Sequence, residues 1–251
     1  APAEVRLFTA FDELFSDPLA DAKRLDDTAD RIREAAPGTT VTTELGDRSI
    51  LEGLVERSAD ADLLVIGSHP HRRVRSILTG AFPSGVAVRS HCPTVVVPDD
   101  WQPGGGPVVL AVADDDSSAR ATVFAAEEAV RAGVPLDAVH AWQMPTPMME
   151  SVAVLVSDPD ELEHAHQDLL EGVVAGIRAE HPGLEVRPRL FHGPSGAAIE
   201  DAVEGARLLV LGTHRRDPAL GALLGSHVQR LLHRGHVPIA VVGNDSTGTE
   251  D

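Results

Sequence analysis

The sequence predicts an α/β protein made of two tandem domains, each with a parallel sheet covered by helices on both faces. Apolar runs without alternation, such as LLVLG at 208–212, suit strands that are buried on both faces. Segments with helical spacing lie between these runs, which is the order expected for parallel strands joined by crossover helices. The pattern occurs twice, because residues 63–97 align without a gap with residues 208–242, at an offset of about 145 (208 minus 63).

The first copy, residues 1–99, is predicted to hold four strands and three helices. Pro18 favours a helix start, apolar residues recur at helical spacing after it, and Pro37-Gly38 ends the helix. Short β-branched or apolar runs supply the strands. The predicted strands are 5–11, 39–44, 63–66 and 94–97, and the predicted helices are 19–36, 49–59 and 80–90.

A glycine-rich linker, Asp99–Gly106, is expected to be flexible and to separate the copies. The second copy, residues 107–243, repeats the alternation, and Ser117 and Ser118 are expected to cap its first helix. Residues 143–158 are long and irregular, either a lid or a packing segment. The predicted strands are 108–113, 136–142, 184–191, 208–211 and 239–242, and the predicted helices are 119–132, 159–180, 196–205 and one that starts at Gly225.

The two copies are unequal at their beginnings. The strand at 5–11 corresponds to the strand at 136–142, so the first copy has no counterpart of residues 108–132, one strand and one helix. A parallel sheet without a central strand exposes ladder groups and apolar surface. Either a longer native chain supplies the strand or another chain fills the gap, and the first alternative is favoured.

Composition narrows the range of partners. The net charge of −18 and a pI near 4.9 argue against nucleic acid and against anionic membranes, which both need a basic face. No apolar run approaches the roughly 18 residues of a membrane span. The one cysteine, Cys92, is expected to pack in the interior and fits a reducing, cytoplasmic location. Lys23 is the only lysine, which excludes a GxxxxGK phosphate loop.

Together the repeat, the apolar strands, the HCP-type turn and the glycines resemble the universal stress protein family, in a tandem arrangement. The resemblance implies two Rossmann-like, five-stranded domains with an adenine-nucleotide α-hydrolase-like fold. In nucleotide-binding members the motif G-x-x-G-x9-G-[S/T] follows the fourth strand. ATP, accompanied by magnesium, is therefore the implied ligand. The ligand is expected at the carboxyl ends of the strands.

The second copy keeps most of this motif. Gly212, Gly225 and Ser226 match it, whereas Arg215 replaces the second glycine. Glycines let backbone N–H groups approach phosphate oxygens, and a serine hydroxyl adds a donor. The guanidinium of Arg215 either clamps a phosphate, fills the pocket, or lies in solvent. His214, which follows Gly212 by two residues, is either a loop residue or a phosphate neighbour.

The first copy has lost more of the motif. Gly67 and Gly80 match, but Pro70 replaces the second glycine and removes an N–H group. Ala81 removes the final hydroxyl. His69 occupies the position of His214. The first site is therefore expected to be degenerate.

Two further residues enter only through the resemblance. Asp114 matches the family aspartate that meets the adenine or ribose end, and it is alternatively a turn residue that caps the next helix. Ala141 matches the position whose backbone contacts adenine. Neither the 12 histidines nor the acidic residues form a convincing metal set, and Gly193–Gly196 is expected to be a tight turn with a helix cap. No catalytic base or nucleophile stands out, so an enzyme is not expected.

Three hypotheses follow for function, in decreasing order. The first is a nucleotide-binding stress-response module, the second a scaffold of the same fold without nucleotide, and the third an ATP-hydrolysing or nucleotidyl-transfer enzyme. The last strands, 94–97 and 239–242, are expected to pair as an intramolecular pseudo-dimer and so to cover an exposed edge. A further pairing of two chains into a homodimer is also expected.

Overall fold

A computed structural model describes residues 4–10, 17–46, 49–68, 81–144, 158–214 and 237–244. Strands and helices alternate along these residues, as the sequence predicts. The strands are β1 Glu4–Ala10, β2 Thr40–Gly46, β3 Leu64–Gly67, β4 Thr94–Val97, β5 Val108–Val112, β6 Leu136–Trp142, β7 Val186–His192, β8 Leu208–His214 and β9 Ile239–Asn244. The helices are α1 Pro18–Ala35, α2 Ile50–Arg57, α3 Ala81–Arg89, α4 Ala119–Ala132, α5 Pro159–Glu180 and α6 Ser195–Ala202.

The second copy forms a five-stranded parallel sheet, in the order β7-β6-β5-β8-β9. The first copy continues this sheet through β4 and β3, because β4 pairs antiparallel with β9. Thr94 lies opposite Val241, and Val96 lies opposite Ile239. The predicted pairing of the last strands of the two copies is therefore confirmed, and each strand covers the edge of the other.

The sheet of the first copy is interrupted. β1 and β2 form a separate two-stranded parallel sheet, and among the described residues neither of them pairs with β3. In the second copy the corresponding strands, β6 and β8, both pair with β5. The interruption thus lies where the sequence comparison places the missing strand.

Helices cover both faces of the second copy's sheet, as predicted. Along β5, Val109 points to an apolar cluster that includes α6, whereas Leu110 points to a cluster that includes α4 and α5. The first cluster also contains Val86 of α3 and Val96 of β4, so the two copies share one core across the β4–β9 pair. None of the helices in the described ranges is long and apolar enough to cross a membrane.

Two local expectations were wrong or incomplete. Ser118 does not cap α4 through its side chain, because its hydroxyl oxygen accepts from the amide of Ala113 at 2.8 Å. The linker is fixed near its end, because Arg207 donates through its guanidinium to the carbonyl of Gly104 at 2.8 Å and through its amide to the carbonyl of Pro107 at 2.8 Å. A glycine-rich sequence allows flexibility but does not prevent such tertiary contacts.

Candidate functional site

A cavity of about 310 Å³ opens at the carboxyl ends of β5, β6 and β8 in the second copy. This is the edge at which open parallel sheets usually hold ligands. The volume is at the lower end of the roughly 300–1,000 Å³ usual for small-molecule sites, so it suits a ligand of nucleoside size. The lining residues are Ala111, Val112, Ala113, Asp114, Ser117, Ser118, Val139, His140, Ala141, Ser195, Ile199, Leu211 and Gly212.

The segment that includes the end of β5 and the following turn forms nearly half of this lining. It contributes every lining residue from Ala111 to Ser118, including the one carboxylate among the lining residues, Asp114. This segment belongs to residues 108–132, for which the first copy has no counterpart. The described part of the first copy therefore lacks the residues that would build an equivalent wall.

The turn after β5 is held by its own side chains. The carboxylate of Asp115, not that of Asp114, accepts from the amide of Ser117 at 2.9 Å. Thr122 donates to the carbonyl of Ser118 at 2.8 Å and ties the turn to α4. The alternative interpretation of Asp114 as a helix cap thus finds no support, and its side chain lines the cavity.

Gly212 is a glycine because two segments of backbone meet at it. A Cβ at this position would overlap the carbonyl oxygen of Ser117 and lie 2.7 Å from the carbonyl carbon of Ser117 and 3.1 Å from the Cα of Ser118. Since those atoms are backbone, no side-chain rotation relieves the overlap. The sequence suggests a phosphate-approach role for Gly212, and the structure adds a packing role that no sequence motif indicates.

Behind the cavity lies a pair of histidines. The buried ring of His140 contacts the carbonyl of Val112 through Nδ1 at 2.9 Å and Nδ1 of His166 through Nε2 at 2.8 Å. Because a carbonyl only accepts, His140 carries its proton on Nδ1, and the neutral ring then accepts from His166. The ring of Trp142 stacks on His166 with centroids 5.5 Å apart.

The protonation of His166 is disfavoured by its surroundings. Burial lowers the pKa of His166 first, the neighbouring His140 lowers it further, and the carboxylate of Asp114 raises it. The neutral form of the pair is consequently the one that fits the hydrogen bonds. Asp114 is thus electrostatically linked to the histidine pair as well as to the cavity.

The cavity's described lining carries no cationic side chain, and Asp114 makes it locally acidic. Such a surface suits hydroxyl and amine donors, which is what a ribose and an adenine amino group offer, better than it suits phosphate. The described residues contain no group of three or more histidine, cysteine or carboxylate side chains that could hold a metal ion.

The structure brings together three of the residues predicted from the sequence, Asp114, Ala141 and Gly212. The backbone of His214 ends β8, and Gly67 ends β3. The remaining predicted residues lie outside the described ranges. They are Arg215, Gly225, Ser226, His69 and Gly80.

Sequence reasoning missed Ser195, His140 and His166. Ser195 begins α6 and lines the cavity, although the Gly193–Gly196 segment was expected only to turn and cap. His166 was considered only beside His164 on its own helix. Its partner His140 is on another element, and single-residue spacing carries no signal for such a pair.

The sequence profile of the universal stress protein family matches residues 4–98 and 106–243. A universal stress protein of Mycobacterium tuberculosis is 30% identical over 207 residues, which is 80% of this chain and 68% of the relative. One of Mycolicibacterium smegmatis is 28% identical over 208 residues, 82% of this chain and 69% of the relative.

The fold is also found in solved structures. A universal stress protein from Archaeoglobus fulgidus superposes with a TM-score of 0.67 at 19% identity, over 98% of this chain and 88% of the other. At this identity the likeness concerns the fold alone. It agrees with the alternation of strands and helices described above.

Proposed function

The chain belongs to the universal stress protein family, with two copies of the family's domain, and we propose that it is a stress-response module that binds one adenine nucleotide, in its second copy. The first copy serves as a structural partner and does not bind nucleotide. Binding, not turnover, is the activity in this proposal. A cytoplasmic location fits the single buried cysteine, Cys92.

The observation that carries the proposal is the cavity at the carboxyl ends of β5, β6 and β8, with its wall formed by the β5 segment. Its position is the usual ligand position of open α/β sheets. The first copy has no counterpart of that segment, and its glycine motif has lost an N–H group at Pro70 and a hydroxyl at Ala81. A single site for each chain is the consequence.

Within the site, each end of the nucleotide meets different chemistry. The carboxylate of Asp114 accepts from the ribose hydroxyls or the adenine amino group, and the backbone of Ala141 lies beside the base. The phosphates are assigned to the amides that follow Gly225 and to the hydroxyl of Ser226, on the strength of the family motif. Magnesium enters only as the ion that accompanies the triphosphate.

A second candidate is a scaffold of the same fold that holds no nucleotide. It is favoured by the replacement of the second motif glycine by Arg215, which places bulk where the family pattern has none. It is also favoured by a described lining that is acidic and carries no cation for phosphate.

Calorimetric titration of the whole chain with magnesium ATP tests the proposal. We expect one site for each chain, and we expect Asp114→Ala to weaken binding about tenfold or more, since a hydrogen bond to a charged group is worth about 1.5–3 kcal/mol. Gly225→Val and Ser226→Ala should also weaken it. Asp168→Ala, which removes an exposed carboxylate on α5, is the control with the same charge change and should bind normally. Absence of binding at millimolar ATP would leave only the scaffold.

A further inference from the structure

One edge of β3 is unpaired within the described structure. The amides of Leu64 and Ser68 both donate towards β4, to the carbonyls of Pro93 and Val97, each at 2.9 Å. Amides alternate in direction along a parallel strand, so those of Val65 and Gly67 point to the opposite side. No described strand lies on that side.

The side chains at this edge are exposed although the sequence is that of a core strand. Val65 is 58% exposed, whereas its counterpart in the second copy, Val210, is fully buried at 0%. The two strands read LVIG and LVLG. The difference is therefore not in the strand itself but in what lies beside it.

The other wall of the gap is β1, which is attached to the same helix as β3. Phe8 of β1 and Ile66 of β3 belong to one apolar cluster with Leu54 of α2. The guanidinium of Arg57, also on α2, lies 4.0 Å from the centroid of the Phe8 ring. Arg57 in addition pairs with Glu44 of β2. Helix α2 thus holds both sides of the gap.

The second copy shows what occupies such a gap. There β5 lies between β6 and β8, and Leu110 is opposite Ala138 on one side and Val210 on the other. By the repeat, Val210 corresponds to Val65, and Ala138 corresponds to Leu7. A strand between Leu7 and Val65 would have the neighbours that β5 has.

We propose that the gap between β1 and β3 is an acceptor site for one extended apolar segment of polypeptide with the sequence character of β5. The segment enters parallel to both strands and accepts from the amides of Val65 and Gly67. It would join the two-stranded and the seven-stranded sheets into one continuous sheet. The inference does not depend on nucleotide binding.

The chemistry of the site restricts the occupant. Because both faces of β5 contact apolar clusters, a strand in its place must be uncharged and small, like the VVLAV of residues 108–112. A second copy of this chain is a poor donor, since its equivalent strand is already buried, with Val109 and Leu110 both at 0% exposure. A free segment does not have to leave a folded core.

The test is amide hydrogen exchange on the whole chain, read by NMR, with a synthetic peptide of residues 107–116, PVVLAVADDD. At ten times its Kd the peptide should slow exchange at Val65 and Gly67 about tenfold, because only the unbound fraction exchanges. The amide of Leu64, already bonded to Pro93, is the internal reference. The same peptide with Leu110→Pro has equal length and charge but lacks a ladder donor, and it should give no protection.

A chain variant completes the test. Val65→Pro removes an amide that β4 does not use, so the β3–β4 pair should persist and peptide protection at Gly67 should be lost. Equal protection by the proline peptide, or none from the parent peptide at millimolar concentration, would overturn the proposal. Protection that exists without peptide and disappears on dilution would also overturn it, because the occupant would then be a second copy.

Discussion

Two strands of nearly identical sequence have opposite environments in this protein. Val65 on β3 is mostly exposed and Val210 on β8 is completely buried, although they occupy the same position of the repeat. The glycines that end these strands differ as well. Gly212 is packed against the backbone of Ser117, whereas a Cβ at Gly67 would meet only an oxygen of Asp99 at 3.7 Å.

Both differences have one cause, the segment that includes β5 and the turn after it. The second copy has this segment, and the first copy has no counterpart. The same segment supplies the wall of the cavity and Asp114. The central strand of this fold therefore determines both how much of its neighbours is buried and whether a ligand site is formed.

The largest expected effect comes from the paired glycines. Gly212→Ala places a methyl group against backbone and should cost about 3 kcal/mol of unfolding free energy, at the upper end of overpacking effects. Gly67→Ala meets open space and should change stability by less than about 0.5 kcal/mol. Urea unfolding of both variants, followed by circular dichroism, measures the difference. Equal effects would mean that the close approach to Ser117 does not constrain Gly212.

The paired valines should show a smaller contrast. Val210→Ala removes fully buried methyl groups and should cost about 2 kcal/mol, from the lost transfer energy and the cavity left behind. Val65→Ala should cost less than about 0.5 kcal/mol, because its side chain is mostly in solvent. If the Val65 variant loses as much stability as the Val210 variant, the edge of β3 is covered in solution.

The smallest expected effect is a dependence on pH that belongs to the second copy, since Thr9 occupies the position of His140 in the first. The pKa of His166 is lowered in the folded state, chiefly by burial. Below the ordinary value of 6.5 the unfolded chain then binds more protons, so stability should fall as the pH drops from 6.5 towards the lowered pKa.

Urea midpoints at pH 7.5 and pH 5.5, read from Trp142 fluorescence in a Trp101→Phe background, measure this dependence. His166→Asn should reduce the loss of stability at the lower pH. His164→Asn, on the exposed side of the same helix, is the control and should leave it unchanged. An unaltered loss in the His166 variant would assign the dependence to other groups.

The sequence predicts most of the fold because its signals are local or repeated. Helix α1 begins at Pro18 as expected, and α4 ends at Gly133, which has a φ of 64°. The alignment of the two copies identified both the pairing of β4 with β9 and the gap beside β3. Only tertiary contacts determine the remainder. The hydroxyl of Ser118 accepts from Ala113 instead of capping α4, and no sequence spacing distinguishes these partners.

The site was predictable only in part for the same reason. Asp114 and Ala141 follow from the family resemblance, and both line the cavity. Ser195 and the His140–His166 pair do not, because they meet through the packing of α5 and α6 on the sheet. Gly212 was selected for its backbone, but the neighbour that requires a glycine there became visible only in three dimensions.

The most direct test of the account is the location of bound adenine. Photolabelling of the whole chain with 8-azido-ATP, followed by mass spectrometry of the digested protein, identifies the labelled copy. The account predicts labelling within the second copy, around β6 and the turn after β5, that excess ATP suppresses. Labelling of β1 or β3 that ATP suppresses equally, or no ATP-sensitive labelling at all, would contradict the claim that β5 creates a single nucleotide site.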